Sequence, residues 1–186
     1  MTMFRWRPPI RVINRLNPAR NGRNGVLGVT MYGNPGSNAA SLAQELGERD
    51  WKWSRLYWPA IGAGAIGAAA VLLALAWSWS TAGYAVAAGV LPMGLALAVQ
   101  RLPRIRRRIE LWGHEVEVQA RALIYGGDVA ELRWRAAAEL RAGYDGIFDF
   151  VMLVTVADAM ADHAPAAGRY VRRVLPVLRE FRARWR

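Results

Sequence analysis

Three side chains that could do metal chemistry lie close together in the sequence: Glu110, His114 and Glu117. Their i, i+4 and i+7 spacing places all three on one face of a helix. Two carboxylates and an imidazole can bind zinc or another divalent metal, and a carboxylate beside a histidine tunes its pKa. The alternative is an ion-paired polar helix face, because three arginines lie within helical reach of the same acids. These arginines are Arg106, Arg107 and Arg121.

A second pattern, formed by Gly62, Gly64 and Gly67, has the letters of the dinucleotide fingerprint G-x-G-x-x-G. That motif binds a cofactor only when a strand precedes it, a helix follows it, and an acid about twenty residues on binds the ribose. Here Pro59 interrupts the strand that the motif would need, and residues 51–109 contain no acid. We therefore expect no cofactor, and we interpret these glycines as sites of close helix packing.

The glycines lie inside an apolar block, residues 59–99, that contains no Asp, Glu, Lys or Arg. A helix over residues 58–77 would span about 28 Å at about 1.5 Å per residue, close to the hydrocarbon thickness of a bilayer. A second stretch, residues 82–99, is of similar length and contains Pro92, which a transmembrane helix tolerates with a kink. With a turn near residues 78–81, the sequence predicts a transmembrane helical hairpin.

Aromatic residues flank both ends of the two predicted spans. Trp and Tyr prefer the headgroup level of a bilayer, so these residues predict two membrane interfaces. They are Trp51, Trp53, Tyr57 and Trp58 at the open end of the hairpin, and Trp77, Trp79 and Tyr84 near its turn.

Small residues at i, i+4 spacing favour close packing between transmembrane helices. The glycines that we assign to this packing are Gly62, Gly64, Gly67 and Gly89. The same Ala- and Gly-rich composition also fits a helix pair buried in a soluble bundle, or against other subunits of an oligomer. The sequence leaves open whether lipid or protein surrounds the hairpin.

Positive charge lies beyond both open ends of the hairpin and is absent from the predicted turn. This distribution predicts that both termini face the cytoplasm. A basic patch follows the second span directly, and it consists of Arg101, Arg104, Arg106, Arg107 and Arg108.

Upstream of the hairpin, residues 1–36 read as an extended basic arm with a short strand within residues 26–32. The first 44 residues carry six Arg and no acid, so the arm is a candidate contact for nucleic acid as well as for anionic lipid. Residues 37–58 predict an amphipathic, aromatic-rich helix that Ser37 or Asn38 would cap.

We predict a small helical domain over residues 100–186, which ends in a basic tail. The first helix covers residues 104–124. Asp128 caps the next helix, with Glu131 completing a capping box. A third helix covers residues 147–162, and Pro176 breaks or kinks the amphipathic tail.

The order of elements resembles that of small zincin-type metallopeptidases of bacteria and phages, over residues 26–125. The segments that carry the resemblance are a short strand at 28–31, a helix that begins near 42–48 and, after an apolar helix, the stretch 115–120. In that family the first helix carries H-E-x-x-H, and a downstream acid completes the metal site. This chain has Gln44 and Glu48 where the family has histidines and keeps only Glu45, so the resemblance implies a site without metal-dependent catalysis.

The chain has no cysteine, which excludes disulfides, zinc–thiolate sites, iron–sulfur clusters and cysteine nucleophiles. The expected fold is mainly α: an apolar two-helix hairpin, a small C-terminal helical domain and an extended basic N-terminal arm. The expected function is a non-enzymatic membrane-active structural or assembly component, with membrane lipids and other protein subunits as partners. The phage-like composition suggests a virion, DNA-ejection or host-membrane protein. A zinc hydrolase and a soluble oligomeric structural protein are the alternatives.

Overall fold

A computed structural model of the chain describes residues 25–27, 30–32, 38–74, 79–144, 147–148 and 151–184. These residues are mainly α-helical, which confirms the predicted fold class. Most of the predicted basic arm lies outside the described residues, and so does Trp77 of the predicted membrane interface.

The short strand expected within residues 26–32 is instead a two-stranded antiparallel hairpin. Strand β1 (Gly25–Leu27) pairs with β2 (Thr30–Tyr32), and Val26 lies opposite Met31. A lone strand would leave its backbone N–H and C=O groups unpaired, whereas two short strands satisfy each other.

The first long helix runs without a break from the polar part of the chain into the apolar block. Helix α1 (Ala39–Lys52) begins at Asn38, whose side chain accepts a hydrogen bond from the Ser41 N–H at 2.7 Å, as predicted. A π-helical segment (Trp53–Tyr57) then joins α1 to α2 (Trp58–Ala74). The boundary expected at residue 59 is therefore inside a continuous helix.

The π-helical segment accommodates Pro59, which has no N–H to donate to the preceding turn. Within the segment the Trp58 N–H donates to the Trp53 carbonyl, five residues back. A local change from i−4 to i−5 bonding is a usual way for a helix to absorb such an interruption.

The second arm of the apolar hairpin is α3 (Trp79–Val99), which contains Pro92 and packs along α2. It begins three residues earlier than the predicted span. Residues 79–81 are therefore helical rather than part of the turn, since Ser and Thr are common at the start of a helix as well as in turns.

The chain then enters α4 (Pro103–Tyr125), which matches the predicted helix within one residue at each end. Pro103 occupies the first helical position, where its missing N–H costs nothing. Helix α4 runs back along α1: Trp112 Nε1 donates to the Gly47 carbonyl at 2.9 Å, and the Ala39 N–H donates to the Tyr125 hydroxyl at 3.2 Å. The α1–α4 pair thus continues the α2–α3 hairpin.

Helix α5 (Val129–Gly143) begins at Asp128, whose side chain accepts from the Ala130 N–H at 3.1 Å. The predicted capping box is wrong, because Glu131 pairs with Arg135 one turn ahead instead of reaching back.

Two further helices complete the domain, α6 (Leu153–Ala161) and α7 (Ala164–Arg184). Helix α6 is shorter than the helix predicted over residues 147–162, since the buried residues Ile147 and Phe148 lie in a turn. Helix α7 continues through Pro176, so the predicted break is absent.

The helical domain has two apolar cores that share α4. One joins α1, α4 and α7, where Leu42 and Leu178 are fully buried. The other joins α4, α5 and α6 around Phe148, Leu140 and Met160. The basic tail is therefore packed against the domain through its apolar stripe.

Candidate membrane-spanning hairpin

Three of the four predicted packing glycines lie where α2 meets α3. A Cβ atom on Gly64 would lie 2.4 Å from the Gly89 carbonyl oxygen, a distance that no side chain tolerates. A Cβ on Gly67 would lie 3.5 Å from the Ala88 carbonyl oxygen, which is an ordinary contact. Gly64 therefore sets the close approach of the two helices.

Gly62 does not take part in this packing. A Cβ added there would meet nothing within 4 Å. Gly62 lies on the same helix as Gly64, but on the face away from α3. The glycines of the G-x-G-x-x-G pattern therefore fall on two different faces of α2.

The outer surface of the hairpin is apolar and exposed. Two helices, Ala39–Leu73 and Ala82–Val99, are long and apolar enough to cross a membrane, and only 6% and 11% of their most apolar windows are buried. Ile66 is 72% exposed, Leu73 89% and Leu91 69%. Among the described residues, the two arms are therefore not buried as the core helices of a soluble bundle are.

Aromatic side chains cluster at the open end of the hairpin. The ring of Trp53 meets the edge of Tyr57 at a centroid distance of 5.2 Å and lies 6.1 Å from the ring of Trp58. The Tyr57 hydroxyl donates to Gln100 Oε1 at 2.8 Å. This bond places the end of the π-helical segment and the end of α3 at one level, which we call the hairpin base.

The other predicted interface residues are placed as follows. Trp51 is partly buried beside the hairpin base. Trp79 is the first residue of α3, and Tyr84 is 65% exposed one turn further along. The structure thus places aromatic residues on both arms, although it describes only part of the belt near the turn.

The predicted basic patch divides into two groups. Arg106 pairs with Glu110 at 3.8 Å and lies over the Tyr144 ring, while the Arg107 guanidinium donates to the Ile147 carbonyl. Three other guanidinium groups are exposed and make no ion pair with any described residue. They belong to Arg101, Arg104 and Arg108.

The predicted metal residues lie on α4, where it faces α1 and the end of α5; Glu110 and His114 are buried, and Glu117 is partly buried. Glu110 is 8% exposed and His114 is 7% exposed. His114 Nδ1 lies 3.8 Å from Glu117 Oε2, and Glu117 also pairs with Arg121 at 2.9 Å. Glu110 and Glu117 thus form the ion pairs that the alternative predicts, with Arg106 and Arg121. These acids are largely shielded from solvent rather than exposed on a polar face.

The electrostatics of this cluster are those of a desolvated site. Burial lowers the pKa of His114 to about 4, so the imidazole is neutral at pH 7. Burial also raises the pKa of Glu117, against the effect of Arg121. Neither ring nitrogen of His114, nor Glu110 Oε2, has a hydrogen-bond partner among the described residues.

No group of three or more His, Asp or Glu side chains in the described part of the chain is arranged to hold a metal ion. The metal site at Glu110, His114 and Glu117 stays a prediction. At the positions where the zincin-type family has histidines, Gln44 Nε2 donates to Glu48 Oε1 at 3.1 Å. These two side chains bond to each other, and Lys52 lies 3.6 Å from Glu48.

Two residues of this cluster escaped the sequence analysis. A Cβ on Gly113 would lie 2.6 Å from Glu48 Cγ, so this glycine lets α1 and α4 approach. Tyr144 stands edge-on to His114 at a centroid distance of 6.2 Å. A glycine in the middle of a predicted helix costs stability, which was the available signal for Gly113.

A buried ion pair joins α4 to α5. Glu115 is fully buried and accepts two hydrogen bonds from Arg133. Nε donates at 2.8 Å and Nη2 donates at 2.9 Å. Gln119 donates to the same carboxylate at 2.8 Å. This geometry satisfies the buried charge and fixes the two helices together.

Comparisons with protein-family models, with curated proteins and with solved structures find no match to this chain.

Proposed function

We propose that the protein is a non-enzymatic, membrane-anchored structural or assembly component. Helices α2 and α3 cross the bilayer as a hairpin, and the helical domain stays at one membrane face. The domain then holds a defined surface next to the membrane, where other protein subunits can assemble on it.

The observation that supports this proposal most strongly is the exposure of the apolar hairpin. Monomeric soluble proteins rarely leave contiguous apolar patches of this kind open to water. Both arms are helical wherever the structure describes them, so apart from the bond that Pro92 cannot donate, their backbone groups are paired within each helix, as a lipid environment requires. The described residues of the arms between Pro59 and Val99 carry no ionisable acid or base except Tyr84.

The charges around the hairpin support an orientation with both termini in the cytoplasm. Arginines follow α3 directly, whereas the predicted turn carries none, and positive residues are retained on the cytoplasmic side. The helical domain would then also be cytoplasmic.

Membrane fractionation tests the proposal. Membranes from cells that make the protein are washed with alkaline sodium carbonate and floated on a sucrose gradient. We expect the protein to float with the lipid. Recovery in the aqueous fraction, without detergent, would overturn the proposal.

Burial of the hairpin against other subunits is the second candidate. The tight contact at Gly64 fits a hairpin surrounded by protein as well as it fits a hairpin surrounded by lipid. A protein that stays soluble as a discrete oligomer would support it. The narrower expectations of a virion or DNA-ejection protein, and of a zincin-like hydrolase, stay predictions.

A further inference from the structure

The exposed charge at the hairpin base has one sign. Residues 51–109 contain seven Lys or Arg and no Asp or Glu. The flanking acids already have partners: Asp50 accepts from the Tyr170 hydroxyl at 2.9 Å, and the buried Glu110 faces Arg106. Within residues 51–109, an anion therefore meets positive side chains only.

Two arginines of the basic patch already have partners. Arg106 and Arg107 are exposed, but their guanidinium groups lie over the rings of Tyr144 and Phe148, and they also contact Glu110 and the Ile147 carbonyl. The other three, Arg101, Arg104 and Arg108, are exposed and make no ion pair with a described residue, and we call them the basal arginines.

The basal arginines share one position in the fold. Arg104 and Arg108 are four residues apart on α4 and so lie on one helix face. Arg101 lies in the turn between α3 and α4. The N-terminus of α4, which carries the positive end of the helix dipole, begins between them at Pro103.

Apolar side chains stand among these charges. Leu102, between two of the basal arginines, is 53% exposed, and Trp58 at the same end of the hairpin is 48% exposed. An alternation of cations and exposed apolar groups fits the boundary between headgroups and acyl chains better than it fits a nucleic-acid groove.

We infer that the basal arginines bind the phosphate groups of anionic phospholipids in the leaflet that the helical domain faces. The inference rests on the proposed function, because the inserted hairpin is what holds these side chains at headgroup level. The hairpin supplies insertion, and the arginines supply a preference for anionic lipid.

The experiment measures lipid preference separately from insertion. The full chain is reconstituted into vesicles of phosphatidylcholine and phosphatidylglycerol, with bromine on the acyl chains of one lipid or the other. Quenching of tryptophan fluorescence then gives the relative binding of the two lipids. The test variant is Arg101→Gln/Arg104→Gln/Arg108→Gln. The control removes the same charge from α5 and α7: Arg135→Gln/Arg172→Gln/Arg179→Gln.

We expect the parent chain and the control to prefer phosphatidylglycerol, by up to about fivefold for each basal arginine at low salt. The preference should fall as salt rises, and it should fall much further in the test variant than in the control. Flotation of pure phosphatidylcholine vesicles should recover all three proteins, since insertion is apolar.

Equal quenching by the two lipids with the parent chain would overturn the inference. An equal loss in the control variant would also overturn it, because it would mean that net charge alone is responsible. A short DNA duplex is the third arm: binding that the test variant loses, without any phosphatidylglycerol preference, assigns the arginines to nucleic acid. Failure to float with any vesicle contradicts the proposed function itself.

Discussion

The hairpin and the helical domain are both built from α-helices, but they differ in where their apolar side chains lie. In the domain, apolar stripes face inward, and buried side chains from three helices pack together in each of the two cores. In the hairpin, α2 and α3 have only each other, and their outer faces are as apolar as their inner ones. Among the described residues nothing covers these outer faces, which is the arrangement that the proposed insertion into a bilayer would require.

The two halves also handle polar groups differently. The domain buries charged side chains such as Glu115 and satisfies them with partners on neighbouring helices. The hairpin contains none to satisfy. Substitutions in the two halves should therefore act through different forces, and their effects can be ranked.

The largest expected effect is in the domain. Arg133→Met should destabilise the folded domain by about 3–5 kcal/mol, because it leaves Glu115 charged, buried and unpaired. Arg135→Met, which breaks an exposed pair with Glu131, should cost less than about 1 kcal/mol. Unfolding followed by circular dichroism in detergent compares the two. Equal effects would mean that the Glu115 pair does not hold α4 to α5.

The next effect depends on pH. The pKa of His114 is about 4 in the folded domain and 6.5 in an unfolded chain, so the unfolded state binds the proton first as pH falls. The contribution of His114 to stability should be complete above pH 6.5 and should decrease as pH falls towards 4, by up to about 3 kcal/mol.

His114→Leu removes this titration, so between pH 6.5 and 4 the unfolding midpoint should fall less in the variant than in the parent chain. His163→Leu is the control, since that imidazole lies in the turn between α6 and α7. An unchanged slope in the His114 variant would show that the imidazole is not held neutral.

In the hairpin, the next effect is a contrast between two glycines of one motif. Gly64→Ala should weaken α2–α3 packing by about 1–3 kcal/mol, because the new methyl group overlaps the Gly89 carbonyl. Gly62→Ala adds the same methyl group on the open face and should be neutral.

Cysteine cross-linking measures this contrast, since the parent chain has no cysteine. A Cβ on Gly89 lies 3.8 Å from Ala68 Cβ, which suits a disulfide. The pair Ala68→Cys/Gly89→Cys should cross-link readily with Gly62→Ala and poorly with Gly64→Ala. Similar yields in both backgrounds would contradict the packing.

The smallest effect lies at the border of the two halves. Tyr57→Phe loses the hydrogen bond to Gln100 and should cost about 1 kcal/mol. Tyr84→Phe, at an exposed tyrosine of the hairpin, should change nothing. Thermal unfolding midpoints of the two variants, measured in the same detergent, test this difference. Equal midpoints would contradict a stabilising role for the Tyr57–Gln100 hydrogen bond.

Local signals in the sequence predicted much of the fold. The cap at Asn38, the extent of α4 and the helical apolar block all follow from patterns within a few residues. The π-helical segment, the shortened α6 and the passage of α7 through Pro176 do not, because tertiary packing decides them. Phe148, for instance, is buried in a turn although its neighbours favour a helix.

The candidate site was less predictable for a similar reason. The spacing of Glu110, His114 and Glu117 indicated a shared face but not that α1 and the end of α5 cover it. Gly62 and Gly64 have the same letter and opposite surroundings, which only the position of α3 reveals. The basal arginines likewise separate from Arg106 and Arg107 only when the turn at Ile147 is in place.

The most direct test of the hairpin's environment uses nitroxide labels on cysteines placed at Ile66 and Leu91, exposed positions near the middle of each arm. In vesicles, the labels should collide freely with oxygen and hardly at all with water-soluble nickel chelate, whereas a label at Arg135 should show the reverse. Low accessibility to both reagents would put protein rather than lipid around the hairpin. High accessibility to the nickel chelate at Ile66 and Leu91 would contradict membrane insertion.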